Sequence, residues 1–315
     1  MSGGMARKLR IEYAGAIYHV INRGNYRRDV FETPGAAQAF VETLTEAVSR
    51  HGWRLHAYVV MRNHYHLAVQ TPLPNLADGM HWLQSTFASR FNRFRAERGH
   101  LFQGRYQAIL VEDPTALGRV VDYIHLNPVR SGVVTPEHLI AFRWSSLRRF
   151  SKGPRFDGLE ASDWLAARGG WRDDTPGWTN YEAHLVALAM DEAEHKRLGF
   201  EEMSHGWAIG TAGWRQALAK DYAALALTPG IQSDEARGFR EARWEAHLVD
   251  YLAEAGHTTT EAKNSAKSSA WKVDLAFRLH RDLGAAVPWI ATKLHMGKPS
   301  SVRCYLSKAH AHHKR

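Results

Sequence analysis

Cysteine is nearly absent: Cys304 is the only one in 315 residues, so no intrachain disulfide and no cysteine-rich zinc site can form. Long apolar runs are missing too. Nothing approaches the roughly 18 residues that span a bilayer, and the opening MSGGMARKLR lacks the apolar core of a secretion signal, so a cytoplasmic protein with no membrane partner is expected. No internal repeat is present. Lysine is almost lacking from the first 150 residues, where Lys8 stands alone among 19 basic side chains. What remains is ordinary globular composition, 44% hydrophobic and 23% charged, which excludes a wholly disordered or fibrous chain.

The net charge is +9 and unevenly spread. Residues 1–150 carry 19 basic against 11 acidic groups, residues 151–240 carry 10 against 14, and residues 241–315 carry 12 against 7. Two basic ends flank an acidic middle. Guanidinium groups make planar, bidentate contacts with phosphates, so nucleic acid is the partner this charge suits, although a surface tuned for solubility accounts for the composition equally well. Three regions are expected: 1–150, a mostly helical connecting region 151–240, and a helical DNA-binding domain 241–315.

Residues 1–150 alternate strand and helix signals. Ala14 to Asn22 reads as a strand, followed by the polar loop RGNYRRD. Thr33 and Pro34 open a helix to about Arg50. Trp53 to Met61 and His64 to Thr71 form two strands around Arg62-Asn63, a hairpin. A helix spans about Asn75 to Glu97, a fourth strand Arg105 to Val111, and Asp113 with Pro114 starts a helix that should stop before Pro128. The order β-α-β-β-α-β predicts an α+β fold of the ferredoxin-like or RRM-like kind. Its antiparallel sheet would carry helices on one face, leave the other free for a substrate, and be followed by an all-α C-terminal region. SKGPRFDG reads as a linker, and Thr258 to Ser269 as a mobile polar loop.

Within the hairpin, His64 and His66 alternate past Tyr65 and therefore project to one face, where two imidazoles can share a divalent cation. Alone, such a pair is more often structural. On the helix after Pro114, Tyr123 and Asn127 stand four residues apart beside an apolar stripe of Leu117, Val121 and Ile124. A lone helical tyrosine is usually core. If strand and helix belong to one small sheet domain, that flank places a phenol over the cation and an amide oxygen among its ligands. Tyr106 is a rival nucleophile, although its strand position favours packing.

The segments MRNHYHLAV, HLFQGRYQAILVED, DYIHLNPVRSGVV and RWSS occur in this order, and over residues 5–150 the chain resembles the REP-associated tyrosine transposases, a branch of the single-tyrosine HUH transposases. That resemblance implies cleavage and strand transfer of single-stranded DNA near the hairpins of repetitive extragenic palindromes. It also implies Mg²⁺ or Mn²⁺ held by His64 and His66, Asn127 as a third polar ligand, and Tyr123 as nucleophile through a 5′-phosphotyrosine. Tyr65 departs mildly from the apolar residue usual between the histidines. A free phenol has a pKa of about 10, so the chemistry needs a cation at the phosphate.

Arg23, Arg27, Arg28, Arg62, Arg105 and Arg119 are candidate phosphate contacts in that domain. In the C-terminal region, two helices around Met296-Gly297-Lys298 match a helix-turn-helix, similar to the DNA-binding domain of the bacterial replication initiator. The first turn of its second helix brings Ser300, Ser301 and Arg303 to duplex DNA. A small helical bundle without a DNA role is the alternative there. His310, His312 and His313 read as a frayed basic tail. For the whole chain, a non-catalytic, sequence-specific DNA-binding regulator and an RNA-binding sheet are the competing classes. Oligomeric state is not set by the sequence.

Overall fold

In the computed structural model, which describes residues 11–223 and 234–312, the elements of the sheet region begin where local chemistry places them. Strand β1 is Ala16–Arg23 and helix α1 is Pro34–His51, capped by Thr33, whose Oγ1 accepts from the Ala36 N–H. Strands β2 (Arg54–Val60) and β3 (His64–Thr71) enclose Arg62-Asn63, and the Met61 N–H donates to the His64 carbonyl at 2.8 Å, closing the hairpin. Helix α2 covers Leu76–Arg95 and strand β4 Gln107–Val111, which begins two residues later than Arg105. Helix α3, Pro114–Arg130, is capped by Asp113, whose side chain accepts from Ala116.

Contrary to the sequence expectation, α3 does not stop before Pro128 but runs two residues past it. Pro128 lies in the last turn, where only one helical hydrogen bond is lost, and the Pro128 carbonyl itself accepts from Val133 at 2.8 Å.

The sheet order is β2-β3-β1-β4, with every neighbour antiparallel, as a split βαβ pattern requires. The architecture is α+β. A fifth strand, β5 (Ala208–Ile209), joins β4 in parallel. Helices α1 and α2 cover one face, where Phe31, Phe40, Tyr65 and Phe87 meet with ring centroids 4.6–6.3 Å apart. The other face is not free as expected, because α3 lies on it. β2 and β3 are accordingly buried along almost their whole length, the pattern of strands covered on both sides.

On the α1/α2 side, Trp53 is buried against Gly79 of α2, and a Cβ at Gly79 would lie 2.0 Å from Trp53 Cζ2. Gly79→Ala therefore forces the indole to move. Overpacking costs up to about 3 kcal/mol and helix propensity returns about 1 kcal/mol, so urea denaturation should show a net loss of about 2 kcal/mol.

The chain forms two compact units, one holding Lys8–Gly210 and the other Thr211–Arg315. Residues 151–210 thus pack with the sheet. Helices α4 (Ser146–Lys152), α5 (Ser162–Gly169) and α6 (Thr175–Ala189) build an aromatic cluster of Phe150, Trp164, Trp178 and Tyr181 beside α3, and α7 (Glu192–Arg197) follows. The SKGPRFDG stretch is not a free linker. The Leu55 N–H donates to the Gly158 carbonyl at 2.7 Å and the Glu160 N–H to the Leu55 carbonyl at 2.9 Å, so this segment is laid along β2.

In the second unit, α8 (Ala212–Asp221), α9 (Asp234–Glu254), α10 (Thr259–Asn264), α11 (Ala270–Leu283), α12 (Val287–Lys293) and α13 (Pro299–His312) follow one another. Their core gathers Trp244, Leu248, Leu275, Leu279, Ile290, Leu294, Val302 and Leu306. The Thr258–Ser269 stretch is not a loop throughout. Thr258 and Glu261 form a capping box for α10, and the buried Lys272 ammonium donates to the Ala262 and Ser265 carbonyls. The side chains of residues 310–312, and all of 313–315, lie outside those described, and with them the histidine tail. Among the described residues no helix is long and apolar enough to cross a membrane.

Candidate active site

Helix α3 divides its side chains among three directions. Leu117, Val120, Val121 and Ile124 are buried in the hydrophobic core. Gly118, Asp122 and His125 face α5 and α6, where a Cβ on Gly118 would lie 3.2 Å from Arg168. Tyr123 and Asn127 face the histidine-bearing strand, and Arg130 completes the i, i+4, i+7 spacing from Tyr123.

The structure brings His64, His66, Tyr123 and Asn127 together. The His64 and His66 ring centroids are 5.2 Å apart, and the Tyr123 ring is 5.6 Å from that of His66. Hydrogen bonds around the imidazoles fix where their lone pairs point. His19 of β1 sets Nδ1 2.9 Å from the Met203 carbonyl, which only accepts, so Nδ1 carries the proton and Nε2 accepts. His66 Nδ1, 2.9 Å from His19 Nε2, must then donate, which leaves His66 Nε2 bare to accept from Asn127 Nδ2 at 3.4 Å. His64 is fixed in the same way. Asn63 donates through Nδ2 to the Arg27 carbonyl, so its Oδ1 receives the His64 Nδ1 proton at 2.8 Å. Two unprotonated Nε2 atoms therefore lie on one face of β3, that of His66 against the Asn127 amide.

Electrostatics keep the pair neutral. Burial, helped by the nearby Arg23, holds His64 down at about 4, and burial with the neighbouring His19 and His64 holds His66 well below the ordinary imidazole value. Burial likewise lowers His19 to about 4. Among the described residues no cluster of three or more His, Cys, Asp or Glu side chains is arranged as a metal site.

Several partners of Tyr123 were not legible beforehand. Its hydroxyl is 2.6 Å from Ser204 Oγ, its ring meets Phe200 edge-on at 5.6 Å, and the Arg130 guanidinium lies 4.6 Å over its face. Arg130 makes no ion pair with any described residue. Phe200, Met203 and Ser204 come from the region that offered least chemistry in sequence, whereas His19 had left one signal, an imidazole among apolar neighbours on a buried strand.

Of the arginines singled out, Arg23 is paired with His64 across the β1–β3 ladder and exposed. Arg27 is exposed in the turn after β1. Arg28 is bound to Glu97, and Arg62 to Asp29 and Glu32, so their charges are already partnered. Arg105 is exposed just ahead of β4, and Arg119 has its Nε buried without a hydrogen-bond partner. Tyr106 is buried and interacts with Tyr65, which lies on the α1/α2 side of the sheet, away from the histidines. Ser300, Ser301 and Arg303 occupy the first turns of α13 in the other unit, with Ser300 and Arg303 exposed.

Residues 12–127 match the family described as "Transposase IS200 like", which supports the resemblance carried by the motifs. No curated protein matches the chain. Among solved structures, one described as "Structure of the REP associates tyrosine transposase bound to a REP hairpin" aligns at 17% identity with a TM-score of 0.40, covering 50% of this chain and 98% of that one.

Proposed function

Starting from a chain whose residues 12–127 match the IS200-like transposases, we propose that the sheet unit cuts and rejoins single-stranded DNA beside a hairpin through Tyr123, with a divalent cation at His64, His66 and Asn127. The observation that carries this reading is a pair of bare imidazole nitrogens on one strand face, with an amide and a phenol both against His66. The donor set fits Mg²⁺ or Mn²⁺: neutral imidazoles suit Mn²⁺ better than Mg²⁺, the Asn127 oxygen suits either once its amide, whose NH₂ end faces His66, turns over, and so few protein ligands leave room for phosphate oxygens. When bound, such a cation neutralises phosphate charge and renders the phosphorus more open to attack.

The chain's own groups supply the rest. His19 orients His66, and Asn63 orients His64, so neither ring rotates when a substrate arrives. The Tyr123 oxygen forms a bond to phosphorus as the bond to the 3′ oxygen breaks. The phenolic proton is balanced by the proton that the departing 3′ oxygen gains, giving a 5′-phosphotyrosine and a free 3′ hydroxyl. No water is consumed, so the reverse step rejoins the strand. Arg130, lying over the phenol ring, favours the negative charge that develops there. Before this can happen the hydroxyl must leave Ser204.

A hairpin oligonucleotide with single-stranded flanks, incubated with Mg²⁺ or Mn²⁺, should yield a covalent protein–DNA adduct. Binding without an adduct under any divalent metal would instead favour the non-catalytic regulator.

For the C-terminal unit the proposal is duplex binding through α13. Turn residues His295 and Gly297 both adopt positive φ, 51° and 86°, and the tight connection they make between α12 and α13 supports reading the pair as a helix-turn-helix. Lys298, Ser300, Arg303 and Lys308 are exposed along α13 and the turn before it, and the three cations make no ion pair with described residues. In the full chain, Arg303→Ala should weaken duplex binding about tenfold, and Lys298→Ala should lower the slope of log affinity against log salt by about 1. Unchanged affinity and slope in both variants would return this unit to a bundle without a DNA role.

A further inference from the structure

We propose that the surface formed by the β1–α1 turn and the C-terminal end of α2 is a stacking platform for unpaired bases of single-stranded DNA, with Tyr26 and Phe94 as its rings. The inference rests on the reading of the sheet unit as a handler of single-stranded DNA.

Two large aromatic side chains stand almost wholly in solvent there, Tyr26 at 92% and Phe94 at 88% exposure. A scattered exposed ring needs no explanation, but these two stand on segments that are bonded to one another. The Asn25 N–H donates to the Leu101 carbonyl at 2.9 Å, the Asn25 amide reaches the His100 carbonyl, and Gly24 forms a bridge with Phe102, so the turn is bound to the segment that leaves α2. Arg28 completes the link by pairing with Glu97 and lying 5.7 Å over the Phe91 ring.

The backbone holds Tyr26 out rather than letting it collapse. Tyr26 and Arg27 both have positive φ, 51° and 59°, a conformation that residues with side chains rarely adopt. Gly24 makes the tight turn possible, since a Cβ there would meet the Arg28 carbonyl at 2.2 Å.

Charge selects the occupant. Arg27, Arg93 and Arg98 are exposed around the rings and make no ion pair with described residues, while Glu97, the acidic group in their midst, is engaged by Arg28 and Arg95. Rings interleaved with free guanidinium groups suit a polyanion that carries unstacked flat bases, which is single-stranded nucleic acid. A duplex offers no free base face.

The platform is also tied to the candidate active site. Asn63 receives the His64 proton with one end of its amide and donates to the Arg27 carbonyl with the other, and its own carbonyl accepts from the Gly24 N–H at 2.7 Å. A strand seated beside His64 that passes Arg23 next meets this turn. The platform would thus hold the flank of the cut strand in line.

The test is fluorescence of 2-aminopurine placed at successive flank positions of a hairpin oligonucleotide, read alongside adduct formation with the full chain. Wild type should quench the probe severalfold at one or two flank positions. The Tyr26→Ala/Phe94→Ala double variant should restore its emission and weaken binding of flanked hairpins about tenfold, with blunt hairpins unaffected and Tyr26→Phe behaving as wild type. Both rings are exposed, so the variants should fold. Adduct formation without quenching at any position, or quenching that survives the double variant, overturns the platform and leaves the strand-transfer reading intact. Quenching lost in the double variant, with no adduct in wild type, sustains the platform and overturns the chemistry.

Discussion

Tyr123→Phe is expected to abolish the covalent adduct, a loss on the order of 10³-fold or more in cleavage, while hairpin affinity stays within about twofold. The substitution removes one oxygen atom. It deletes the 2.6 Å hydrogen bond to Ser204 and keeps the ring contacts with His66, Phe200 and Arg130, so stability should fall by only about 1 kcal/mol. Denaturing gels of protein incubated with labelled hairpin and Mn²⁺ report the adduct, and gel shift reports binding. The rival phenol Tyr106 cannot substitute, because it is buried toward Tyr65 on the far side of the sheet. An adduct of unchanged yield in the phenylalanine variant would remove Tyr123 from the chemistry.

The second large effect concerns the residue just before it. Asp122 is fully buried, and its carboxylate accepts from Arg168, from the Tyr181 hydroxyl at 3.0 Å and from His184 at 3.2 Å. Tyr181 is in turn 3.0 Å from His125, which reaches Ser146 at 2.8 Å, and Ser146 binds the backbone of Tyr58. One chain of polar contacts therefore joins α3 to α4, α5, α6 and β2. Asp122→Ala leaves the largely buried Arg168 cation without its partner and should cost about 3 kcal/mol in urea denaturation. Asp122→Asn, which still accepts from Tyr181, should cost less than the alanine change. Because Asp122 and His125 hold the rotation of the helix that presents Tyr123 and Asn127, the folded asparagine variant should cut more slowly with its hairpin affinity unchanged. Equal stability of the alanine variant and wild type would show that the buried carboxylate is not what fixes α3.

The parts of the fold set by local chemistry were legible in the sequence. Thr33-Pro34 and Asp113-Pro114 mark helix starts because their oxygens and fixed φ act within four residues, and the hairpin at Arg62-Asn63 is equally local. His64 and His66 share a face because strand geometry requires it. Other features depended on partners remote in sequence. His19 meets His66 only through the β1–β3 register, and Ser204 reaches Tyr123 across 81 residues. The segment along β2 is held by backbone groups, which carry no side-chain signature. One miss was avoidable: the T-x-x-E pattern from Thr258 to Glu261 is a helix start in plain view, hidden by the polarity around it.

The segment at Gly158–Glu160 and strand β5 have one result in common. Left alone, the four-stranded sheet would end on both sides in rows of unpaired amides and carbonyls, open to docking by another copy. The acidic middle region lies along both margins, bonding to β2 through Gly158 and Glu160 and to β4 through Trp207 and Ile209. A fragment trimmed at residue 150 would keep His19, His64, His66 and Tyr123 yet present two sticky borders, so the shortest piece that seals its own sheet extends to Gly210.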